Sequence, residues 1–96
     1  MKNNKLIFAP KFKHRLEAIA EYIYLNTKSK EVVRGHISNI KTSLQILKAF
    51  PQLGREANEF GEDIRKLVIL DYTVLYTYNE NLQQIEILNI FRENLP

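Results

Sequence analysis

Residues Ile64–Arg92 read IRKLVILDYTVLYTYNENLQQIEILNIFR, three short runs of β-forming residues separated by two turn signals. The first run, IRKLVIL (Ile64–Leu70), is rich in branched aliphatic side chains, which suit a pleated surface. Alternation puts Arg65, Leu67 and Ile69 on one face and Ile64, Lys66, Val68 and Leu70 on the other. Both faces are mostly apolar, which predicts a central strand with Lys66 lying along its own stem. Asp71 begins a turn, and YTVLYTY (Tyr72–Tyr78) forms the second run, with Val74, Tyr76 and Tyr78 facing one way. Asn79-Glu80-Asn81 supplies the next turn, because Asn tolerates positive φ and bonds its own backbone. QIEILNIFR (Gln84–Arg92) is the third run. Strands joined by short connections pair antiparallel, so the stretch is a meander.

Upstream, Lys5–Ala9 (KLIFA) is a strand too short to stand alone and is expected to join the meander as its fourth member. Pro10 fits the first position of a helix, where its missing N–H costs nothing. Phe12, Leu16, Ile19, Ala20 and Ile23 follow at helical spacing and predict a helix over Pro10–Leu25. Ser29 is a good N-cap, with Glu31 in the first turn. Val33, Ile37, Ile40, Leu44 and Leu47 then form a narrow apolar seam on a second helix reaching about Ala49. Phe50-Pro51 ends it, since the residue before a proline leaves the α region. Gln52–Gly61 reads as a polar loop. The predicted order is β-αα-βββ: an α+β fold in which a helical hairpin covers one face of a small, mainly antiparallel sheet. The opposite face stays partly open, and apolar groups left there would mark a partner site. Residues 1–96 are read as a single domain.

Composition narrows the chemistry. The 96 residues contain no cysteine, which excludes disulfides and thiolate metal sites. His14 and His36 lie on separate helices without a companion cluster, a poor metal site. The N-terminal apolar run, Leu6–Ala9, is shorter than the roughly 7–15 residues of a signal peptide. No stretch approaches the ~20 apolar residues of a membrane span, so a cytoplasmic protein is expected. No P-loop, G-x-S-x-G or H-E-x-x-H is present. The net charge of +3 is unevenly spread. Residues 1–48 carry ten basic and three acidic groups, net +7; residues 49–96 carry four and eight, net −4. Such asymmetry is read either as a Lys-rich solvated face on the two helices, the default for exposed lysine, or as a surface for an anionic partner.

Four pieces together resemble the RelE/ParE superfamily, the toxins of bacterial type II toxin–antitoxin modules. KLIFAPKFKHRLEAIAEYI is similar to the family's strand, proline and amphipathic helix; LKAFPQLGRE to the junction after its second helix; IRKLVILDYTVLYTYNE to its strand pair; IEILNIFRENLP to its ending. The resemblance implies a growth-inhibiting toxin domain over residues 1–96, with no cofactor, neutralised by a cognate antitoxin encoded beside it. The antitoxin would lie across the sheet or the hairpin as a helix or added strand.

Two activities occur in the superfamily. ParE-like members inhibit DNA gyrase and are not hydrolases. RelE- and YoeB-like members cleave mRNA on the ribosome and are endoribonucleases (mRNA interferases). For cleavage, the resemblance implies Arg65 on the phosphate, Arg92 near the scissile bond and Glu56 as base. Such a reaction needs a base for the 2′-hydroxyl, cations on the phosphate and an acid for the leaving oxygen. The departures favour the ParE-like reading. Where RelE-like enzymes carry lysines, residues 56–63 hold Glu56, Glu59, Glu62 and Asp63 and nothing basic. Many nuclease members end with an essential tyrosine or histidine, whereas this chain ends Glu93-Asn94-Leu95-Pro96.

Overall fold

A computed structural model describes residues 4–92. A strand, β1 (Lys5–Phe8), leads into α1 (Pro10–Thr27) and α2 (Lys30–Leu44), followed by a 3-10 turn over Gln45–Lys48. Four more strands follow among the described residues: β2 (Arg55–Glu56), β3 (Arg65–Ile69), β4 (Tyr72–Asn79) and β5 (Gln84–Phe91). The sheet runs β1-β5-β4-β3-β2, antiparallel except where β1 lies parallel to β5. The α+β arrangement predicted from the sequence therefore stands, with two amendments. The loop after the helices contributes a fifth strand of two residues. The expected central strand, β3, is next to the edge, with only Arg55–Glu56 outside it; its open-face residue Val68 is 62% exposed. The middle strand is β4, where Tyr72–Tyr76 are buried on both faces.

Local chemistry sets each boundary. Pro10 starts α1, and Lys28 ends it in the left-handed region (φ 55°), its N–H donating to the Tyr24 carbonyl. Ser29 caps α2 by accepting from the Val32 N–H at 3.2 Å. The second helix tightens to 3-10 geometry after Leu44, short of the predicted end, which keeps Leu47 fully buried. Between β4 and β5 the Asn79 side chain accepts from the Leu82 N–H at 3.0 Å, the turn chemistry expected of that asparagine. In β5 the pairing skips a residue, with Leu75 opposite Asn89 but Tyr76 opposite Ile87. This bulge at Leu88 re-aims the strand, so Ile85, Ile87 and Ile90 all reach the core despite their uneven spacing. They meet Phe12 and Leu16 of α1, Ile40 and Leu44 of α2, and Val74 and Tyr76 of β4.

One contact fixes the junction between the helices and the sheet edge. The buried Tyr76 hydroxyl donates to the Pro51 carbonyl at 2.9 Å and accepts from the Gly54 N–H at 2.8 Å. Gly54 leaves no room for a side chain: a Cβ there would stand 2.8 Å from the Lys66 carbonyl oxygen and from the Tyr76 ring. Burial pushes the Tyr76 hydroxyl above its ordinary value of 10, against the pull of the Gly54 hydrogen bond and the Arg65 charge.

Removing the hydroxyl in Tyr76→Phe strands two backbone groups and is expected to cost about 1–3 kcal/mol. Gly54→Ala is expected to cost a similar ~1–3 kcal/mol through overpacking. Because the folded protein holds the phenolic proton more tightly, Tyr76 contributes fully below the unfolded value of about 10 and less as pH climbs towards the folded value. Urea unfolding between neutral and alkaline pH should therefore show wild type and Tyr76→Phe converging as pH rises; parallel curves would refute the linkage.

The β3–β4 turn gives a stabilising counterpart. Leu70 and Asp71 form a two-residue connection with φ of 46° and 70°, a backbone that favours Asn-Gly. The double substitution Leu70→Asn, Asp71→Gly should relieve roughly 1 kcal/mol of strain and raise the thermal midpoint by about 4–8 °C, measurable by circular dichroism.

Candidate functional site

Arg65 opens β3 opposite Tyr76 and lies on the helix-covered face. Its guanidinium donates to the Gly54 carbonyl at 2.6 Å and reaches the Gln52 carbonyl at 3.4 Å. The other terminal nitrogen is 3.9 Å from the Glu56 carboxylate, whose side chain is 77% exposed. Glu56 comes to Arg65 through the β2–β3 pairing, in which the two residues are partners. Glu56 and Arg65 are thus one constellation, but its cation is engaged by two backbone carbonyls of the junction. Next to it, Arg55 pairs with Glu59 at 2.6 Å, and this guanidinium holds the Glu59 carboxyl below its ordinary value. The acidic segment Glu56–Asp63 begins at this sheet edge.

Arg92 is elsewhere. Phe91 pairs with Thr73, so Arg92 comes level with Tyr72, and its guanidinium stands 5.2 Å over the Tyr72 ring. Four residues along β4 separate this level from that of Arg65, roughly 13 Å at the rise of a strand, and the two arginines flank β4 on opposite sides. The Tyr72 hydroxyl lies 3.0 Å from Nε2 of His36 on α2. His14 is exposed on α1, apart from this cluster. The sequence-predicted residues therefore split into Glu56 with Arg65 at one end of the sheet and Arg92 with Tyr72 and His36 at the other. The ending Glu93–Pro96 lies outside the described residues.

A third feature was read in the sequence only as a packing seam. Ile40, Leu44 and Leu47 of that seam are fully buried, but Val33 and Ile37 are only half-buried. With Leu16 and Ala20 of α1 they floor a groove between the helices. A hollow of about 360 Å³ beside Phe8 and Phe12 passes through Ala20 into another of about 540 Å³ beside Tyr24. Phe8 stacks on Phe12 at 5.2 Å to form the wall nearest the sheet. Lys13 and Lys41 rim the first hollow and Lys30 and Arg34 the second, against Glu17 and Glu21. The apolar floor and mainly basic rim suit the apolar face of an acidic amphipathic helix. The sequence signal is the seam itself, whose Val33 and Ile37 continue the row of Ile40, Leu44 and Leu47; which part of the row is covered is set by where the sheet lies.

The fold is similar to that of solved toxin–antitoxin proteins. A chain from the chromosomal ParDE system of P. aeruginosa superposes with a TM-score of 0.78 at 18% identity, covering 98% of this chain and 100% of that one. A chain from the intact E. coli RelBE toxin–antitoxin complex superposes with a TM-score of 0.62 at 10% identity, covering 96% and 99%. Among curated proteins none matches. Among the described residues no helix is long and apolar enough to cross a membrane. Residues 6–94 match the family described as the ParE toxin of the type II toxin–antitoxin system parDE. That match spans nearly the whole chain, and the resemblance read from its strand, hairpin and meander motifs stands: the chain belongs to the ParE family of type II toxins.

Proposed function

We propose that residues 1–96 form one toxin domain that arrests growth from the cytoplasm by binding and inhibiting DNA gyrase, held in check by an antitoxin encoded beside it. Inhibition of gyrase is the function of the ParE family, and the family match over residues 6–94 carries the proposal. The geometry supports action by contact. Arg65 is occupied by the Gly54 and Gln52 carbonyls, and Arg92 is laid on Tyr72 at a distance from it. The carboxylates around Arg65 repel the phosphates that a nuclease site must hold. The antitoxin is assigned to the hairpin groove, where an acidic amphipathic helix meets both the apolar floor and the basic rim. The solved structures of similar fold come from a toxin–antitoxin system and a toxin–antitoxin complex.

The ribosome-dependent endonuclease is the second reading, favoured by the pairing of Glu56 with Arg65. In that case Glu56 takes the 2′-hydroxyl proton, Arg65 leaves the junction for the phosphate, and Arg92 acts from another direction.

Pulse labelling separates the two. On induction without the antitoxin, thymidine incorporation should fall before methionine incorporation, and purified protein should block gyrase supercoiling. If methionine incorporation falls first and ribosome-bound mRNA is cut, the nuclease reading replaces the first, and Arg65→Ala with Arg92→Ala should abolish the cut.

A further inference from the structure

The helical hairpin runs on past the part of it that is buried against the sheet. The residues of α1 buried in the core are Phe12 and Leu16, and those of α2 are Ile40 and Leu44, all on the half near the sheet. From residue 17 to residue 39 no side chain is buried. The helix α1 extends for about 27 Å at the rise of an α-helix, and beyond Ile19, the last of its residues packed against the core, its final turns stand clear. Yet the distal end carries large apolar groups. Tyr22 is 65% exposed, Leu25 58% and Val32 49%. Tyr22 and Leu25 are three apart, one above the other on α1, and Val32 lies in the first turn of α2. Lys28, Lys30 and Arg34 lie at this end of the hairpin against Glu21 and Glu31, so residues 21–34 carry a net charge of +1.

Nothing in the fold requires Tyr22, Leu25 or Val32 to be apolar at these positions. Polar groups would serve a solvated helix end better. An exposed tyrosine beside aliphatic groups and cations is the composition of an anchor that fills a pocket on another protein. A second copy of the chain is disfavoured as the occupant, because two tips of like charge repel. The tip residues Tyr22 and Leu25 are also distinct from those lining the groove.

We propose that the tip of the α1–α2 hairpin is the surface that grips the target protein, inserting Tyr22 and Leu25 into an apolar hollow ringed by carboxylates. This rests on the reading that the toxin acts by protein contact. The rim carboxylates meet Lys28 and Lys30 and steer the encounter.

The test is the double variant Tyr22→Ser, Leu25→Ser in the full chain, expressed with and without the adjacent antitoxin. Both positions are exposed, and circular dichroism with the thermal midpoint verifies that the fold is kept. The expected result is loss of growth arrest and a roughly tenfold or larger weakening of supercoiling inhibition, with antitoxin binding unchanged. Tyr22→Phe, Leu25→Met should retain arrest. A folded serine variant that arrests growth as wild type does would overturn the proposal, as would tip-dependent binding to anionic vesicles with arrest unaffected. A wild-type chain that arrests growth but leaves gyrase untouched would overturn the gyrase reading alone, since arrest still scores the tip. A wild-type chain that arrests nothing would overturn both.

Discussion

The buried hydroxyl of Tyr76 is the constraint around which this small domain is arranged. A phenol inside a core must both donate and accept, and here its partners are the Pro51 carbonyl and the Gly54 N–H. Those partners belong to the chain that leaves the helices, so satisfying Tyr76 decides where that chain descends to the sheet. Once Gly54 is held against the tyrosine ring, Arg55 and Glu56 fall beside β3 and form the fifth strand. Arg65, on the same face and opposite Tyr76, closes the arrangement by binding the Gly54 carbonyl. The acidic segment then starts at the sheet edge as a consequence of a core hydrogen bond, and it makes that edge inhospitable to phosphate.

The charge imbalance of the sequence thereby becomes spatial. Among the described residues, 4–48 carry a net +6 and form β1 and the hairpin, while 49–92 carry a net −3 and form the antiparallel strands with their acidic junction. Attraction for an anionic surface acts over about a Debye length, ~8 Å at physiological salt, so the two ends of the molecule present opposite signs to an approaching partner. An acidic partner is drawn to the hairpin and turned away from the β2 edge. Orientation of this kind comes before any close contact and requires no catalytic group.

Much of this was readable from the residues. Alternation in Tyr72–Tyr78 placed Val74 and Tyr76 in the core, and the seams of the two helices supplied Phe12, Leu16, Ile40, Leu44 and Leu47. Val33 and Ile37 of the same seam stay half-buried, and β4 is buried on both faces. Pro10, Ser29 and Asn79 marked boundaries through backbone chemistry that acts locally. The failures involve distant partners. β1 is the parallel neighbour of β5, a pairing that no run of sequence announces. The two residues of β2 are too few for any period. The bulge at Leu88 breaks alternation for reasons supplied by the facing strand, and β3, apolar on both faces, was read as central when one of those faces is left open at Val68. The direction of Arg65 was equally hidden. An arginine on a strand serves a phosphate or a carbonyl alike, and only the position of Gly54 settles which is near.

The hairpin reverses the usual relation between packing and function. Its proximal half is fixed by Phe12, Leu16, Ile40 and Leu44, with Ile19 and Ile37 packed at the margin of that core. Past Ile19 and Ile37, which still pack on the core, the apolar residues Val33 along the groove and Tyr22 and Leu25 at the tip are left partly or largely open. Tyr24 joins the two surfaces. It lines the distal hollow of the groove, it is 40% exposed, and the Lys28 ammonium of the tip stands 5.9 Å over its ring. A helix lying the full length of the groove covers Tyr24 and brings its acidic flank against Lys28. On the two proposals above, an antitoxin would then silence the toxin by occupying the approach to the tip, with no active site to plug.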